Sequence, residues 1–155
     1  NEMAQALKSL IFPLSAVVTP NLLEAKFFLG CSDVEIRESP AEVVARRLLD
    51  IFGCEAVILK GGHASGNVLT DTLVTRSSPD SKFQYSSKRI KCKNLHGTGC
   101  TYASALAAEL AKGNGIEKSF FKTSALLNRI ISDSCGYDFG ASCYGPLNIL
   151  DYTTV

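Results

Sequence analysis

Ser39-Pro40, a capping residue followed by a first-turn proline, opens a segment in which Ala41, Val44, Ala45, Leu48, Leu49 and Phe52 recur at three- and four-residue steps. This spacing predicts an amphipathic helix closed by Gly53. Immediately beyond it, Ala56-Val57-Ile58-Leu59 is an apolar, β-branched run without alternation, the pattern of a parallel strand covered on both faces, and Gly61-Gly62 ends it. With the helices and strands read around it, this pair predicts an α/β architecture.

The other elements fit around that pair. Residues 2–10 read as the end of a helix stopped near Pro13, Ser15–Val18 as a short buried strand, and Asn21–Gly30 as a helix. Residues 68–75 and 82–92, joined by the turn-rich 76–81, read as an antiparallel pair with one solvated face. Residues 101–112 predict a helix with Ala103, Leu106, Ala107, Leu110 and Ala111 on one stripe. Gly113-Asn114-Gly115 turns it into a last helix with Ile116, Phe120, Leu127 and Ile131 inside. From Cys135 to Val155 periodicity disappears, which fits an ordered wrap or a frayed end. The expected organisation is a single domain over residues 1–155.

Composition narrows the function classes. Sixteen Lys and Arg against fifteen Asp and Glu give a net charge of +1, which supplies no electrostatic footprint for nucleic acid or an anionic membrane. The longest apolar stretch, Leu10 to Val18, is broken by Pro13 and Ser15 and is far shorter than a spanning helix requires. Six cysteines without a Cys-x-x-Cys pair, and two distant histidines, argue against a structural zinc site and for reduced thiols in a cytoplasmic protein. The chain begins at Asn1 within an apparent helix, so an amino-terminal portion is expected to precede it.

Three segments can carry chemistry. In Lys93-Asn94-Leu95-His96-Gly97-Thr98-Gly99-Cys100-Thr101, two glycines join a strand to a helix, and backbone N–H groups converging at a helix amino terminus favour an anion such as phosphate. Cys100 would sit in the same field, where its thiolate is a base or nucleophile; the alternative is a glycine turn with a small buried cysteine. Asn21 and Glu24, three apart, would share a helix face and suit a hydrated Mg²⁺, or would simply form a capping box. Lys60-Gly61-Gly62-His63 ends the second parallel strand, where ligands bind in open α/β sheets. Asp71 reads either as a bend of the hairpin or as a site residue. Asp138-Phe139-Gly140 spells a kinase metal-binding triplet without the catalytic loop that should precede it, and is read as coincidence.

Taken in order and spacing, Thr19-Pro20-Asn21-Leu22-Leu23-Glu24-Ala25, Val57-Ile58-Leu59-Lys60-Gly61-Gly62-His63 and His96-Gly97-Thr98-Gly99-Cys100-Thr101 resemble the hydroxymethylpyrimidine and phosphomethylpyrimidine kinases of thiamine biosynthesis, in the ribokinase-like superfamily. The resemblance runs from about Leu7 to Ile131. It implies a ribokinase-like fold, a mainly parallel sheet flanked by helices, whose carboxy-terminal part binds ATP and Mg²⁺, and a small pyrimidine as phosphoryl acceptor. It makes Gly97, Thr98, Gly99 and Cys100 an anion hole for the transferred phosphoryl group, Cys100 the base, Lys60 and Gly62 nucleotide neighbours, and Asn21 and Glu24 the residues that help to place Mg²⁺. Tyr144-Gly145-Pro146-Leu147-Asn148 keeps the flavour of the family's last motif, with Ile149 where histidine often stands.

The family's amino-terminal part, with its first strands and substrate loop, lies outside this sequence. A parallel sheet so shortened would expose an edge, so a homo-oligomer or pairing with that amino-terminal half is expected. Two other readings share the residues: a pyridoxal or pyridoxine kinase of the same fold, and a non-catalytic nucleotide-binding remnant.

Overall fold

The computed structural model describes residues 2–61, 66–138 and 145–149, which fall into two compact units, Asn1–Ser87 and Lys88–Val155. In the first unit, four strands are ordered β1 (Val17–Val18), β2 (Ala56–Leu59), β3 (Val68–Thr75) and β4 (Phe83–Lys88) across one sheet. β2 is buried at every residue, as its unbroken apolar run predicts, and it pairs in parallel with β1, Val17 opposite Ala56. Its other neighbour is antiparallel, with Ala56 opposite Thr75 and Leu59 opposite Thr72.

Among the described strands of this sheet, parallel pairing is thus confined to β1 and β2. The connection from Lys60 to Asn67 is too short for the crossover that a parallel β3 would need, so the chain returns antiparallel. Side-chain bonds between Thr70 and Ser86 (2.8 Å) and between Gln84 and Thr72 (3.4 Å) carry the antiparallel sense on to β4. β4 alternates between half-buried and exposed residues, the single solvated face expected, and ends at Lys88 rather than Cys92.

Helices flank this sheet. α1 (Glu2–Ala6) runs into a π turn, Leu7–Ile11, and a 3₁₀ turn, Phe12–Leu14, where Pro13 lacks the N–H that would continue the helix. α2 (Leu22–Leu29) is capped by Asn21 and closed by Gly30 at φ 63°. α3 (Asp33–Glu38), absent from the sequence reading, is begun by a second capping box, Ser32 with Glu35. α4 (Ala41–Phe52) buries the stripe that its spacing predicts and closes at Gly53, φ 68°.

Phe12, Phe28 and Phe52 meet with ring centroids 4.5–5.3 Å apart beside Leu48, Val57 and Leu59. Each fully buried side chain of this size contributes about 1.5–3 kcal/mol. Arg76 fastens α4 to the sheet by donating to the carbonyls of Leu49 and Cys54 at 2.8 and 2.7 Å; the Leu49 carbonyl, in the last turn of the helix, also accepts the Gly53 N–H at 3.1 Å.

The second unit contains α5 (Thr98–Ala111) and α6 (Ile116–Ser134), joined through Gly113 at φ 82°. α5 begins three residues before the expected Thr101; of the expected stripe Leu106 is buried and Leu110 half-buried, whereas Ala103, Ala107 and Ala111 are exposed and Tyr102 completes the buried face. The Tyr102 hydroxyl is hydrogen-bonded to Ser124 Oγ at 3.1 Å, and α6 packs largely with Phe120, Ile130 and small hydroxyl residues. Of the apolar side chains expected inside α6, Phe120 is buried, whereas Ile116, Leu127 and Ile131 are half-buried. Residues 145–149 form an ordered strap along residues 93–96: Gly145 N–H donates to Lys93 O, His96 N–H to Gly145 O and Leu147 N–H to His96 O.

Candidate active-site elements

In the first unit, the strand ends carry the polar groups. Lys60 N–H donates to Pro20 O at 2.8 Å, and Lys60 and Asn21 form a parallel bridge, so the ends of β1 and β2 stay in register just where both turn outward. Asn21 Oδ1 accepts from Glu24 N–H at 2.9 Å while Glu24 Oε2 accepts from Asn21 N–H at 2.7 Å, a complete capping box. The capping reading is therefore realised, using one oxygen of each side chain; Oε1 of the exposed Glu24 is not part of it.

Asp71, left open between two roles by the sequence, takes a specific place. Its Oδ1 accepts the Gly61 N–H at 2.8 Å, and burial pushes its carboxyl above the ordinary aspartate range against the opposing pull of that bond and of the Lys60 ammonium. Gly61 lies flat on β3: a Cβ there would stand 2.3 Å from the Thr70 carbonyl oxygen. Hydrogen bonds thus run from Asp71 through Gly61 and Lys60 to the residue before Asn21. Gly62 and His63 lie outside the described residues, as do Phe139, Gly140 and Tyr144. Asp138 is ion-paired with Lys93.

In the second unit, Gly97 is the N-cap of α5 at φ 93°, a conformation that favours glycine, and no side chain caps the helix. Thr98, Gly99 and Cys100 form its first turn, whose N–H groups have no acceptor within the helix. The Thr98 N–H reaches Leu95 O only at 3.4 Å, and no acidic side chain stands in the turn. Such an end carries partial positive charge and small residues that let an anion approach closely. Cys100 is exposed at the third position of that turn, not the small buried thiol of the alternative reading.

Sequence reasoning did not single out Asn94, which is fully buried three residues before Gly97. A wholly polar residue amid a turn-rich stretch gives no periodic signal; only its bonds to a helix end forty residues away reveal it. Among the described residues, no three His, Cys, Asp or Glu side chains are grouped to hold a metal ion, and no helix is long and apolar enough to cross a membrane.

The sequence profile of the family described as phosphomethylpyrimidine kinase matches residues 1–148. The chain belongs to that family. Among relatives, it is 34% identical over 151 residues to the hydroxymethylpyrimidine/phosphomethylpyrimidine kinase of Bacillus subtilis, a match covering 96% of this chain and 52% of the relative. It is 37% identical over 142 residues to the thiamine biosynthesis bifunctional protein ThiED of Geobacter sulfurreducens, covering 92% of this chain and 27% of the relative.

In three dimensions it is similar to the pyridoxal kinase of Staphylococcus aureus in complex with AMP-PCP, with a TM-score of 0.78 at 25% identity, covering 98% of this chain and 53% of the other. The ADP complex of Bacillus subtilis pyridoxal kinase gives a TM-score of 0.74 at 27% identity, covering 94% and 54%. The fold is therefore the ribokinase-like α/β fold of the phosphomethylpyrimidine kinase family, and the chain spans about half the length of the B. subtilis kinase that it matches.

Proposed function

We propose that this chain carries the phosphate-handling part of a kinase that transfers the γ-phosphoryl group of ATP to the hydroxymethyl group of a pyrimidine, or to its monophosphate, in thiamine biosynthesis. The observation that carries this reading is the uncapped amino terminus of α5, presenting Gly97, Thr98, Gly99 and an exposed Cys100 in a chain matched by the family profile along nearly all its length.

In a loose phosphoryl-transfer transition state, negative charge spreads over the equatorial oxygens, and positioning with charge stabilisation does most of the work. The first-turn amides of α5 would meet that charge with fixed donors, which need no reorganisation during the step. Cys100, as thiolate, would take the proton from the acceptor hydroxyl as the oxygen attacks phosphorus. Lys60, and the neighbouring Gly62, would lie along the nucleotide, the lysine acting as a point charge. The AMP-PCP and ADP complexes of the pyridoxal kinases support a nucleotide as donor.

Mg²⁺ fits the donor set if it arrives with the nucleotide. A phosphate-bound Mg²⁺ needs only one or two carboxylates and keeps several waters, and Glu24 offers the carboxylate oxygen outside the capping box, with Asn21 beside it. When bound, the ion would neutralise phosphate charge. The exposed apolar residues Leu14, Leu23 and Phe27, together with the edge strand β1, support association with further polypeptide, either a second copy or the family's amino-terminal half. A cytoplasmic setting agrees with this chemistry.

A pyrimidine acceptor is favoured over pyridoxal because relatives bearing the pyrimidine kinase name reach 34% identity, against 25–27% for the two pyridoxal kinases of similar fold. Steady-state turnover with Mg²⁺-ATP and each acceptor tests the choice. The expected result is phosphorylation of hydroxymethylpyrimidine with kcat/KM above that for pyridoxal. Preference for pyridoxal would reassign the substrate, and turnover of neither by a folded protein would favour the non-catalytic nucleotide-binding reading.

A further inference from the structure

We infer that Asn94 is a positioning residue for the phosphate-binding end of α5, an inference that rests on the kinase reading above. Its side chain is wholly buried, and its Nδ2 donates at 2.7 Å to Ser134 O and at 2.9 Å to Tyr137 O. Two carbonyl acceptors fix which way the amide points, because only the NH₂ group can serve both. These carbonyls lie at and just beyond the end of α6, where helical acceptors run out of intrahelical donors. The side chain therefore fastens the segment before Gly97 to the end of another helix.

The backbone on either side of Asn94 is held from a second direction. Gly145 donates its N–H to Lys93 O and accepts from His96 N–H, both at 3.1 Å, while Asn148 N–H donates to Ser134 Oγ at 2.8 Å, so the strap brackets Asn94 and is tied to the same helix end. Asn94 Oδ1 has no hydrogen-bond partner among the described residues and faces Gly145, where a Cβ would stand 1.9 Å away. An apolar side chain of similar volume would leave no such orphaned acceptor, so packing alone does not account for asparagine here. What asparagine adds is two directed donors that set the height and angle at which residues 95–97 deliver the first turn of α5. Amide donors displaced from the transferred phosphoryl oxygens lose stabilisation of the transition state more than binding of the ground state.

The test uses Asn94→Leu, which keeps the branching and the number of side-chain heavy atoms while removing the donors, and Gly145→Ala, which pushes the native asparagine aside. For each, backbone amide shifts of Gly99 and Cys100 are followed by NMR during titration with inorganic pyrophosphate, and kcat and KM are measured below the melting temperature of the variant. The expected result is a saturable shift in the native protein that falls at least tenfold in affinity in a folded variant, with kcat down about 100-fold and KM for the pyrimidine changed less than threefold. Native amides that ignore pyrophosphate would overturn the phosphate site and this inference with it. Native amides that respond while a folded Asn94→Leu protein responds equally, or loses activity only in proportion to its unfolded fraction, would overturn the positioning role alone. If Asn94→Leu does not fold, Gly145→Ala decides by the same criteria.

Discussion

The Gly61 amide donates to Asp71 Oδ1 at 2.8 Å, so the turn that ends the central strand is fastened to the strand beside it. The same carboxyl is pushed upward by burial, with the Gly61 bond and Lys60 pulling the other way. A raised acid contributes stability in full below the ordinary aspartate range, and that contribution is lost as pH rises through its raised pKa. Asp71→Asn keeps an oxygen acceptor for Gly61 and abolishes ionisation. Its stability relative to the native protein is expected to be greater near pH 7 than near pH 4, read by thermal unfolding at both. A relative stability that instead falls as pH rises would contradict the account.

Gly61 is required for close approach, not for an unusual φ. Adding a Cβ 2.3 Å from the Thr70 oxygen forces backbone against backbone, so Gly61→Ala should cost about 1–3 kcal/mol or more in urea unfolding. A cost below half a kcal/mol would mean that β3 yields freely at this point.

Capping and metal placement separate at Glu24. Asn21→Ala removes the N-cap acceptor and should cost about 1 kcal/mol. Glu24→Gln retains an oxygen for the Asn21 amide, so the melting temperature should stay nearly unchanged while the Mg²⁺ concentration for half-maximal turnover rises severalfold. An unchanged Mg²⁺ requirement would leave Glu24 with the cap alone.

Among the five described cysteines Cys100 is the exposed one, Cys54 is buried, and the thiol of Cys135 is pushed up to about 11 by burial and by its hydrogen bond with Cys92. Brief treatment with iodoacetamide near pH 7.5 should therefore modify Cys100 ahead of Cys54 and Cys135, by peptide mass mapping, and turnover should fall in step with that modification. Cys100→Ala should lower kcat by about 10²–10⁴-fold with little change in unfolding midpoint. Full turnover in that variant would remove the base assignment.

The sequence was most legible where one physical pattern dominated. Val44, Leu48 and Phe52 repeat at helical spacing, Ala56–Leu59 tolerates no solvated face, and Asn21 with Glu24 announces a helix start, and each is found as read. α3 was missed because six residues are too few for periodicity to register, although Ser32 and Glu35 spell its capping box. The buried side of α5 was legible only at Leu106, because small apolar residues surround that helix, and the packing of Tyr102 on Ser124, invisible to periodicity, chooses the face. The glycine turn that opens α5, the proposed anion site, was legible as His96-Gly97-Thr98-Gly99-Cys100. Its supports were not, since Asn94 bonds to a helix end forty residues away and Gly145 to a segment farther back still, and Asp71 shows its role only once β3 folds back on Gly61.

The central claim is that the first turn of α5 receives nucleotide phosphate, and Gly99→Asp probes it most directly. An aspartate in a helix's first turn suits the macrodipole, so the helix should persist while its charge repels an incoming phosphate. Calorimetric titration of the folded chain with Mg²⁺-ATP should give binding near micromolar affinity that Gly99→Asp abolishes. Equal binding by both proteins, or no heat from a folded native chain, would contradict it.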